Sequence, residues 1–181
     1  LRVQEDIDIV DNDRVNLVEK IENCFKVGTQ SGQIYETKTL LVASGSRRKR
    51  LGVLGEDKLD GKGVAFCSIC DAPLFKNKIV AVVGGGNAGL EAVVDLLQYA
   101  KKIYLLQRSA ELRGDAITQA KVRNNPKVEI IFNAVTKEIV GSDFVSGLRY
   151  KDLISDTTKE VNLEGVFVEI GSVPNSDFVK G

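Results

Sequence analysis

The chain has 181 residues, of which 43% are hydrophobic and 28% are charged. This length and composition are typical of a globular protein with one or two small domains. The 25 basic residues balance the 25 acidic residues, which argues against a general nucleic-acid-binding protein. The longest apolar runs, such as residues 79–83, are far shorter than the roughly 20 residues of a membrane-spanning helix.

The start of the chain carries information about its origin. The sequence begins at Leu1 in the middle of an alternating pattern and contains no methionine, which indicates a piece of a longer protein. Nothing near Leu1 resembles a signal peptide. We therefore expect a cytoplasmic protein with neither a membrane nor a nucleic acid as partner.

Residues 14–44 predict antiparallel strands. The sequence T-Q-S-G-Q at residues 29–33 separates two strand-like runs, as the turn of a β-hairpin would. The apolar run T-L-L-V-A-S at residues 39–44 predicts a buried strand. Residues 45–63 are rich in glycine and charge, so we interpret them as a connection between domains, with a boundary near residues 48–57 and a solvated basic run at 47–50.

From Lys78 onward, predicted strands and helices alternate. Residues 79–83 form a continuous apolar strand of the kind that is buried on both faces. Residues 87–100 repeat apolar residues at helical spacing, and the apolar face consists of Leu90, Val93, Val94, Leu97 and Ala100. The later elements are a strand at 103–106, a helix at 115–124, a strand at 128–132, a β-meander at 135–141, 144–152 and 158–163, and a buried strand at 165–170. The sequence therefore predicts an α/β fold, a Rossmann-like doubly wound parallel sheet with a β-meander.

The three cysteines are Cys24, Cys67 and Cys70, in a chain without histidine. Cys67 and Cys70 form a C-x-x-C pair, which in a cytosolic protein is more often catalytic or metal-binding than part of a disulfide framework. A closed zinc site needs four ligands, so we predict no metal, although a zinc ion shared between subunits or completed by carboxylates is an alternative. Cys24 lies in an apolar run and is expected to be a small buried hydrophobic residue.

A glycine motif follows the first predicted strand of the α/β part. Gly84, Gly86 and Gly89 have the spacing G-x-G-x-x-G at the start of the amphipathic helix. In this context the first glycine permits a tight turn, the second lets the backbone approach a pyrophosphate, and the third allows close packing of helix on strand. With the intervening Asn87 and Ala88, these residues predict a dinucleotide-binding loop. An empty structural turn of the same shape is the alternative.

The end of the second strand should select the nicotinamide cofactor. Gln107 stands where an acidic residue would bond the ribose 2′-hydroxyl and repel a 2′-phosphate. Gln107 could bond the hydroxyl of NADH, whereas Arg108 and Arg113 favour the phosphate of NADPH. We predict NADPH, with NADH as the alternative. Both arginines could instead be solvated residues at a helix start.

The pair and the loop lie in one stretch, C-S-I-C-D-A-P-L-F-K-N-K-I-V-A-V-V-G-G-G-N-A-G-L-E-A-V, at residues 67–93. This stretch strongly resembles the low-molecular-weight thioredoxin reductases and the related flavin-containing subunit of bacterial alkyl hydroperoxide reductase. The likeness covers nearly the whole chain and includes the pattern F-x-x-I-G-x-x-P-N at residues 167–175. It implies an FAD domain, with residues 1–47 and 171–181 as parts of it, interrupted by an NAD(P)H-binding domain at residues 48–170. The two FAD segments that define the family would lie outside the chain.

By this resemblance, Cys67 and Cys70 are the redox-active dithiol of a pyridine nucleotide-disulfide oxidoreductase. Electrons would pass from NAD(P)H to FAD, to this pair, and then to thioredoxin or a similar redox protein. Cys70 would lie nearer the flavin, Cys67 would attack the disulfide of the partner, and Asp71 would donate and accept the proton. Gly171 of the F-x-x-I-G pattern is a candidate cofactor-binding residue, and the full-length protein is expected to be a homodimer.

The sequence leaves two alternatives open. Residues 148–171 look closer to the hydroperoxide-reductase subunit, which typically has Glu at the position of Gln107 and uses NADH. The missing flavin segments also allow a non-catalytic nucleotide-binding module whose dithiol is structural or a redox sensor. The fragment alone is expected to be inactive without the rest of the FAD domain.

Overall fold

The structure is a computed structural model that describes residues 7–180. The chain forms two compact units: unit 1, with described residues 7–47 and 173–180, and unit 2, residues 48–172. The strands are, in chain order, β1 (Val15–Ile21), β2 (Cys24–Thr29), β3 (Ile34–Thr37), β4 (Ser46–Arg48), β5 (Val64–Ala65), β6 (Ile79–Val83), β7 (Lys102–Leu106), β8 (Val128–Ile131), β9 (Ala134–Gly141), β10 (Val145–Asp152), β11 (Thr158–Asn162), β12 (Gly165–Val168), β13 (Ser172–Pro174) and β14 (Val179–Lys180). The helices are α1 (Ser68–Asp71), a 3₁₀ helix (Ala72–Phe75), α2 (Asn87–Leu96) and α3 (Ala116–Arg123).

Unit 1 is built on a four-stranded sheet in the order β14-β1-β2-β3. The predicted hairpin between β2 and β3 is confirmed, since the two strands pair antiparallel. Gly32 takes a φ of +89° in its turn, and the Thr29 N–H donates to the Gln33 carbonyl over 3.0 Å. Among the described residues of this unit only Val18 and Val27 are buried hydrophobic residues, so its core is small.

The prediction of a buried strand at residues 39–44 is wrong. These residues belong to none of the strands that the structure describes, and Leu41 is 90% exposed. An apolar run becomes a buried strand only where a neighbouring strand pairs with its backbone and other side chains cover it. The described part of unit 1 supplies neither. Instead Leu40, Leu41 and Val42 line a cavity of about 910 Å³ within unit 1, together with Arg14 and Phe178.

Unit 2 contains a five-stranded parallel sheet in the order β5-β12-β6-β7-β8. The predicted α/β fold is therefore confirmed. The chain passes from β6 through α2 to β7 and through α3 to β8, whereas β12 pairs on the other side of β6. The strand order thus reverses between β6 and β12. In such sheets ligands bind at this point of reversal, the switch point, outside the carboxyl ends of the strands.

The parallel sheet is covered on both faces. Val80 and Val82 of β6 belong to a hydrophobic cluster that includes the buried side of α2. Ala81 and Val83 belong to a second cluster, which includes the antiparallel meander β9-β10-β11. Successive strand residues point to opposite faces, so this alternation explains why the continuous apolar run at residues 79–83 is buried on both sides.

Helix α2 covers the first of these faces. Leu90 and Val93 are buried as predicted, together with Leu96, whereas Val94 and Leu97 are half-buried. The helix ends at Leu96, earlier than residue 100. None of the helices described between residues 7 and 180 combines the length and apolar character needed to cross a membrane.

Residues 51–60 are not the plain connection that the sequence predicted. Leu59 is fully buried in the second cluster. The buried Glu56 carboxylate accepts from the N–H groups of Leu51 and Gly52 over 2.8 and 2.7 Å. Glycine and charge in this stretch therefore serve a tightly packed loop, because buried backbone donors need acceptors. The basic run is also partly engaged, since Arg50 pairs with Asp57 and Asp60.

Candidate redox and nucleotide-binding site

The glycine loop joins the end of β6 to the start of α2. Gly84 has a φ of +122°, and a side chain there would overlap the carbonyl of Glu169. A side chain at Gly89 would overlap the Gly84 carbonyl, so the first turn of α2 packs directly on the loop. At Gly86 a Cβ would meet no atom within 4 Å. Gly86 is thus the open position through which a phosphate can approach the backbone.

The amino terminus of α2 is suited to bind an anion. Its N-cap is Gly86, which provides no side-chain hydrogen bond, so no capping side chain competes for the first N–H groups. The Asn87 side chain faces elsewhere, because its Oδ1 accepts from the Asp115 N–H over 2.8 Å. Asp115 in turn caps α3 by accepting from the Thr118 N–H over 2.9 Å. The hydrogen bonds from Thr118 lower the pKa of Asp115, and the bond to Asn87 fixes the start of α3 beside the loop.

Gln107 is buried, and its carboxamide is engaged within the protein. Its Oε1 accepts from the Gly85 N–H over 3.1 Å, and its Nε2 donates to Ser109 Oγ and the Glu111 carbonyl over 2.7 and 2.9 Å. Gly85 occupies a variable position of the motif, so sequence reasoning did not select it. A Cβ at Gly85 would lie 2.7 Å from Leu112, so a side chain at this position would crowd its neighbours. Because Gln107 accepts from the Gly85 N–H, Gln107 holds the glycine loop in place.

Arg108 and Arg113 are exposed, and neither side chain pairs with a carboxylate among residues 7–180. Both line a cavity of about 690 Å³ at the switch point of the sheet. All the predicted binding residues line this cavity except Gly89, whose place is in the packing beneath the loop. Two unpaired guanidinium groups at the β7 side of a glycine loop are suited to bind a phosphate.

Glu169 lines the opposite side of the cavity and was not predicted. Its side chain is 3% exposed, and its Oε2 accepts from Arg48 Nη1 over 3.3 Å. Burial raises the pKa of Glu169, and the positive charge of Arg48 opposes this rise. The sequence contains a signal for this residue, because Glu169 is a lone carboxylate at the end of the apolar run at residues 165–168.

Gly171, Lys49 and Thr136 also line the cavity. Gly171 has a φ of +100°, and its carbonyl accepts from the Lys49 N–H over 3.0 Å. Thr136 of β9 is 7% exposed, and its hydroxyl is buried without a hydrogen-bond partner in the described part of the chain. Lys49 and Thr136 could not be predicted from the sequence, because only the packing of distant segments brings them to the glycine loop.

Cys67 and Cys70 form a disulfide, with their Cα atoms 5.4 Å apart. Cys67 is the N-cap of α1, and its Sγ accepts from the Cys70 N–H over 3.3 Å. Cys70 is exposed, whereas Cys67 and Asp71 are half-buried.

Cys24 is a free cysteine in β2 and is half-buried, so the prediction that it is buried is wrong. Residues 7–180 contain no group of three or more acidic, Cys or His residues placed to hold a metal.

Helix α1, which carries the disulfide, is hydrogen-bonded to α2, the helix that begins at the glycine loop. Ser68 of α1 donates from its Oγ to Asp95 Oδ2 of α2 over 2.7 Å. Both residues are half-buried, and hydrogen bonds to charged acceptors are stronger than those between neutral groups. The disulfide and the glycine loop are thus attached to the same helix.

A parallel sheet with a glycine loop at its switch point defines a Rossmann-like nucleotide-binding domain, and here that domain also carries a C-x-x-C disulfide. The chain belongs to the pyridine nucleotide-disulphide oxidoreductase family, whose model matches residues 2–181. It is 41% identical over 177 residues to an alkyl hydroperoxide reductase subunit of Staphylococcus epidermidis, covering 98% of this chain and 35% of the relative. The corresponding protein of Staphylococcus aureus is 42% identical with the same coverage.

Solved structures of thioredoxin reductases share the fold. The enzyme of T. acidophilum matches with a TM-score of 0.79 and 31% identity over 92% of this chain and 55% of that one. The enzyme of Giardia duodenalis matches with a TM-score of 0.82 and 29% identity over 93% and 55%. The resemblance to these two groups of proteins is confirmed. The chain spans about a third of the curated relatives and about half of the solved structures.

Proposed function

We propose that the chain is the nucleotide-binding and dithiol-bearing part of a flavin-dependent disulfide reductase. One observation supports this most strongly. The Cys67–Cys70 disulfide lies on a helix that is hydrogen-bonded through Ser68 to Asp95 of α2, the helix that begins at the glycine loop. The proposed site of the electron donor and the reducible bond would thus lie in a single packed unit.

The cysteine chemistry balances as a dithiol relay. The loop from Gly84 to Gly89 would hold a nicotinamide nucleotide, which would supply an electron pair as hydride, and FAD would relay that pair to the disulfide. With that pair and two protons, the Cys67–Cys70 bond opens to two thiols. The Cys67 thiolate then attacks the disulfide of the partner, Cys70 resolves the mixed disulfide, and the partner leaves as a dithiol. Asp71 would exchange the proton with the leaving thiolate.

The proposed nucleotide is NADPH, with NADH as the alternative. Arg108 and Arg113 support the 2′-phosphate, because both are exposed on the cavity wall without a carboxylate partner in the described chain. The Gln107 side chain does not favour NADH, since its carboxamide already bonds Gly85 and Glu111 and is not free to bind the ribose hydroxyl. We assign the pyrophosphate to Gly84, Gly86, Asn87, Ala88 and Gly89, the residues of the loop and the first turn of α2.

The remaining assignments follow the family relation. Residues 48–170 would be the NAD(P)H-binding domain, and residues 1–47 and 171–181 would belong to an FAD domain whose flavin site lies mostly outside the chain. The proposed partner is thioredoxin or a thioredoxin-like protein, and the full-length protein would be a cytoplasmic homodimer. A second function is favoured by the 41–42% identity to the two hydroperoxide-reductase subunits: an NADH-dependent flavoprotein subunit that reduces a peroxidase protein.

The test uses the full-length protein with Cys67→Ser, Cys70→Ser or, as a matched control, Cys24→Ser. Either variant of the pair should still have its flavin reduced by nicotinamide nucleotide, yet should fail to reduce a protein disulfide. The Cys24 variant should keep both activities, because Cys24 is outside the disulfide. Full disulfide reductase activity in the Cys67 and Cys70 variants would refute the proposal and favour a structural dithiol.

A further inference from the structure

The cavity of unit 2 has two sides, and the phosphate contacts proposed above account for one of them. A dinucleotide in a doubly wound sheet crosses the switch point, with its pyrophosphate at the glycine loop after the first strand. Here β6 is that strand, and Arg108 and Arg113 follow β7 on one side of it. The half of the ligand beyond the pyrophosphate must therefore lie over the end of β12. Glu169 is the first residue after β12.

Glu169 is placed rigidly at this side of the cavity. Its N–H donates to the Val83 carbonyl over 2.9 Å, and its own carbonyl fills the space that a side chain at Gly84 would need. The backbone of Glu169 is therefore locked to the end of β6 and to the glycine loop. A change in the loop would move Glu169 with it.

The carboxylate of Glu169 has unused hydrogen-bonding capacity. Its Oε2 accepts from Arg48, whose own side chain is 50% exposed, and the described chain gives the carboxylate no other partner. An ionised carboxylate offers about four acceptor sites. Burying it costs free energy unless donors satisfy it. The raised pKa of Glu169, caused first by burial, agrees with this unsatisfied state.

We infer that Glu169 is a specificity-determining residue that accepts hydrogen bonds from the nicotinamide riboside half of the bound nucleotide. That half carries the donors that a carboxylate recognises, namely the ribose hydroxyls and the amide N–H₂ of the nicotinamide. The inference rests on the proposed function, because it requires a nicotinamide nucleotide in the cavity. It adds a contact on the β12 side to the phosphate contacts on the β7 side.

The experiment measures dissociation constants by calorimetry for the full-length protein and its Glu169→Ala, Glu169→Gln and Glu36→Gln variants. The ligands are NADH and NADPH, paired with ADP and 2′-phospho-ADP, which end at the pyrophosphate. Glu36 is an exposed carboxylate of β3 and serves as the matched control. Glu169→Gln preserves the shape of the side chain, so it separates loss of charge from loss of packing.

Glu169→Ala should weaken the preferred dinucleotide about tenfold or more, the effect of one charge-assisted hydrogen bond. Glu169→Gln should weaken it less, and both variants should bind the matching pyrophosphate fragment as the wild type does. Equal loss for dinucleotide and fragment, or no loss for either, would overturn the inference. If the wild-type protein binds neither the dinucleotides nor the two fragments, the proposed function itself fails. Loss of dinucleotide binding in the Glu169 variants alone, with fragment binding retained, is a different result and concerns only Glu169.

Discussion

Gln107 lies at the position that is expected to select the nicotinamide cofactor, but its side chain also has a structural role. Its side chain accepts from the Gly85 N–H inside the glycine loop, so an apolar residue at this position would leave that N–H without its buried acceptor. Replacing Gln107 by Glu would keep an acceptor for Gly85 but remove the donor to the Glu111 carbonyl. A variant at Gln107 would therefore alter the loop in addition to testing the proposed cofactor preference. The two arginines are the cleaner test of that preference.

The double variant Arg108→Ala, Arg113→Ala should weaken NADPH binding about tenfold or more and leave NADH binding within about threefold. A charge-assisted hydrogen bond contributes about 1.5–3 kcal/mol, and each 1.4 kcal/mol is about tenfold in affinity. Titration of both nucleotides measures the ratio. Replacing the exposed Lys101 and Lys121 by alanine removes the same charge and is the control. An unchanged NADH-to-NADPH ratio would make both arginines ordinary surface residues.

Thr136 and Thr29 form a matched pair at the residue scale. Each is 7% exposed, but the Thr136 hydroxyl has no partner in the described chain, whereas the Thr29 hydroxyl bonds Ser31 Oγ and the Gln33 carbonyl. Thr136→Val should therefore leave the free energy of unfolding unchanged or raise it by up to about 1 kcal/mol, and Thr29→Val should lower it by about 1 kcal/mol. Denaturant titration decides. A loss at Thr136 as large as that at Thr29 would show a missing partner.

At the element scale, local pattern predicted most of unit 2. The run at residues 79–83 is β6, and the pattern of α2 is the one expected of a helix with one buried side. Local pattern failed where the outcome depends on distant segments. Residues 40–43 are all apolar, like those of β6, yet lie exposed, and Leu59 is buried within a stretch rich in charge. The position of Glu169 beside the glycine loop likewise depends on β12 pairing with β6.

The hydrogen bond between α1 and α2 makes a testable link between elements. Ser68→Ala removes the donor to Asp95, and a bond to a charged acceptor contributes about 1.5–3 kcal/mol. The amides of residues 68–75 should therefore exchange about tenfold faster or more, without a change in α3. Ser146→Ala, which removes an exposed hydroxyl bonded to the Val140 carbonyl, is the control. Exchange equal to the control would mean that the packing of α1 alone holds the disulfide in place.

At the scale of the whole molecule, the two units differ in how much core they bury. Nearly all buried hydrophobic residues lie in unit 2, where two clusters cover both faces of the sheet. Unit 1 buries two, Val18 and Val27, among its described residues and exposes Ile34, Leu41 and Val42. The candidate site is contained in unit 2. The proposed nucleotide cavity and the disulfide are therefore supported by the larger of the two cores.

The most direct test of the account is whether nicotinamide nucleotide opens the Cys67–Cys70 bond. The full-length protein is incubated without oxygen with NADPH or NADH, alkylated, digested and analysed by mass spectrometry for each cysteine. We expect Cys67 and Cys70 to be alkylated only after the nucleotide is added, while the labelling of Cys24, which is free in β2, does not change. A flavin that is fully reduced by the nucleotide while Cys67 and Cys70 stay unlabelled would contradict the account.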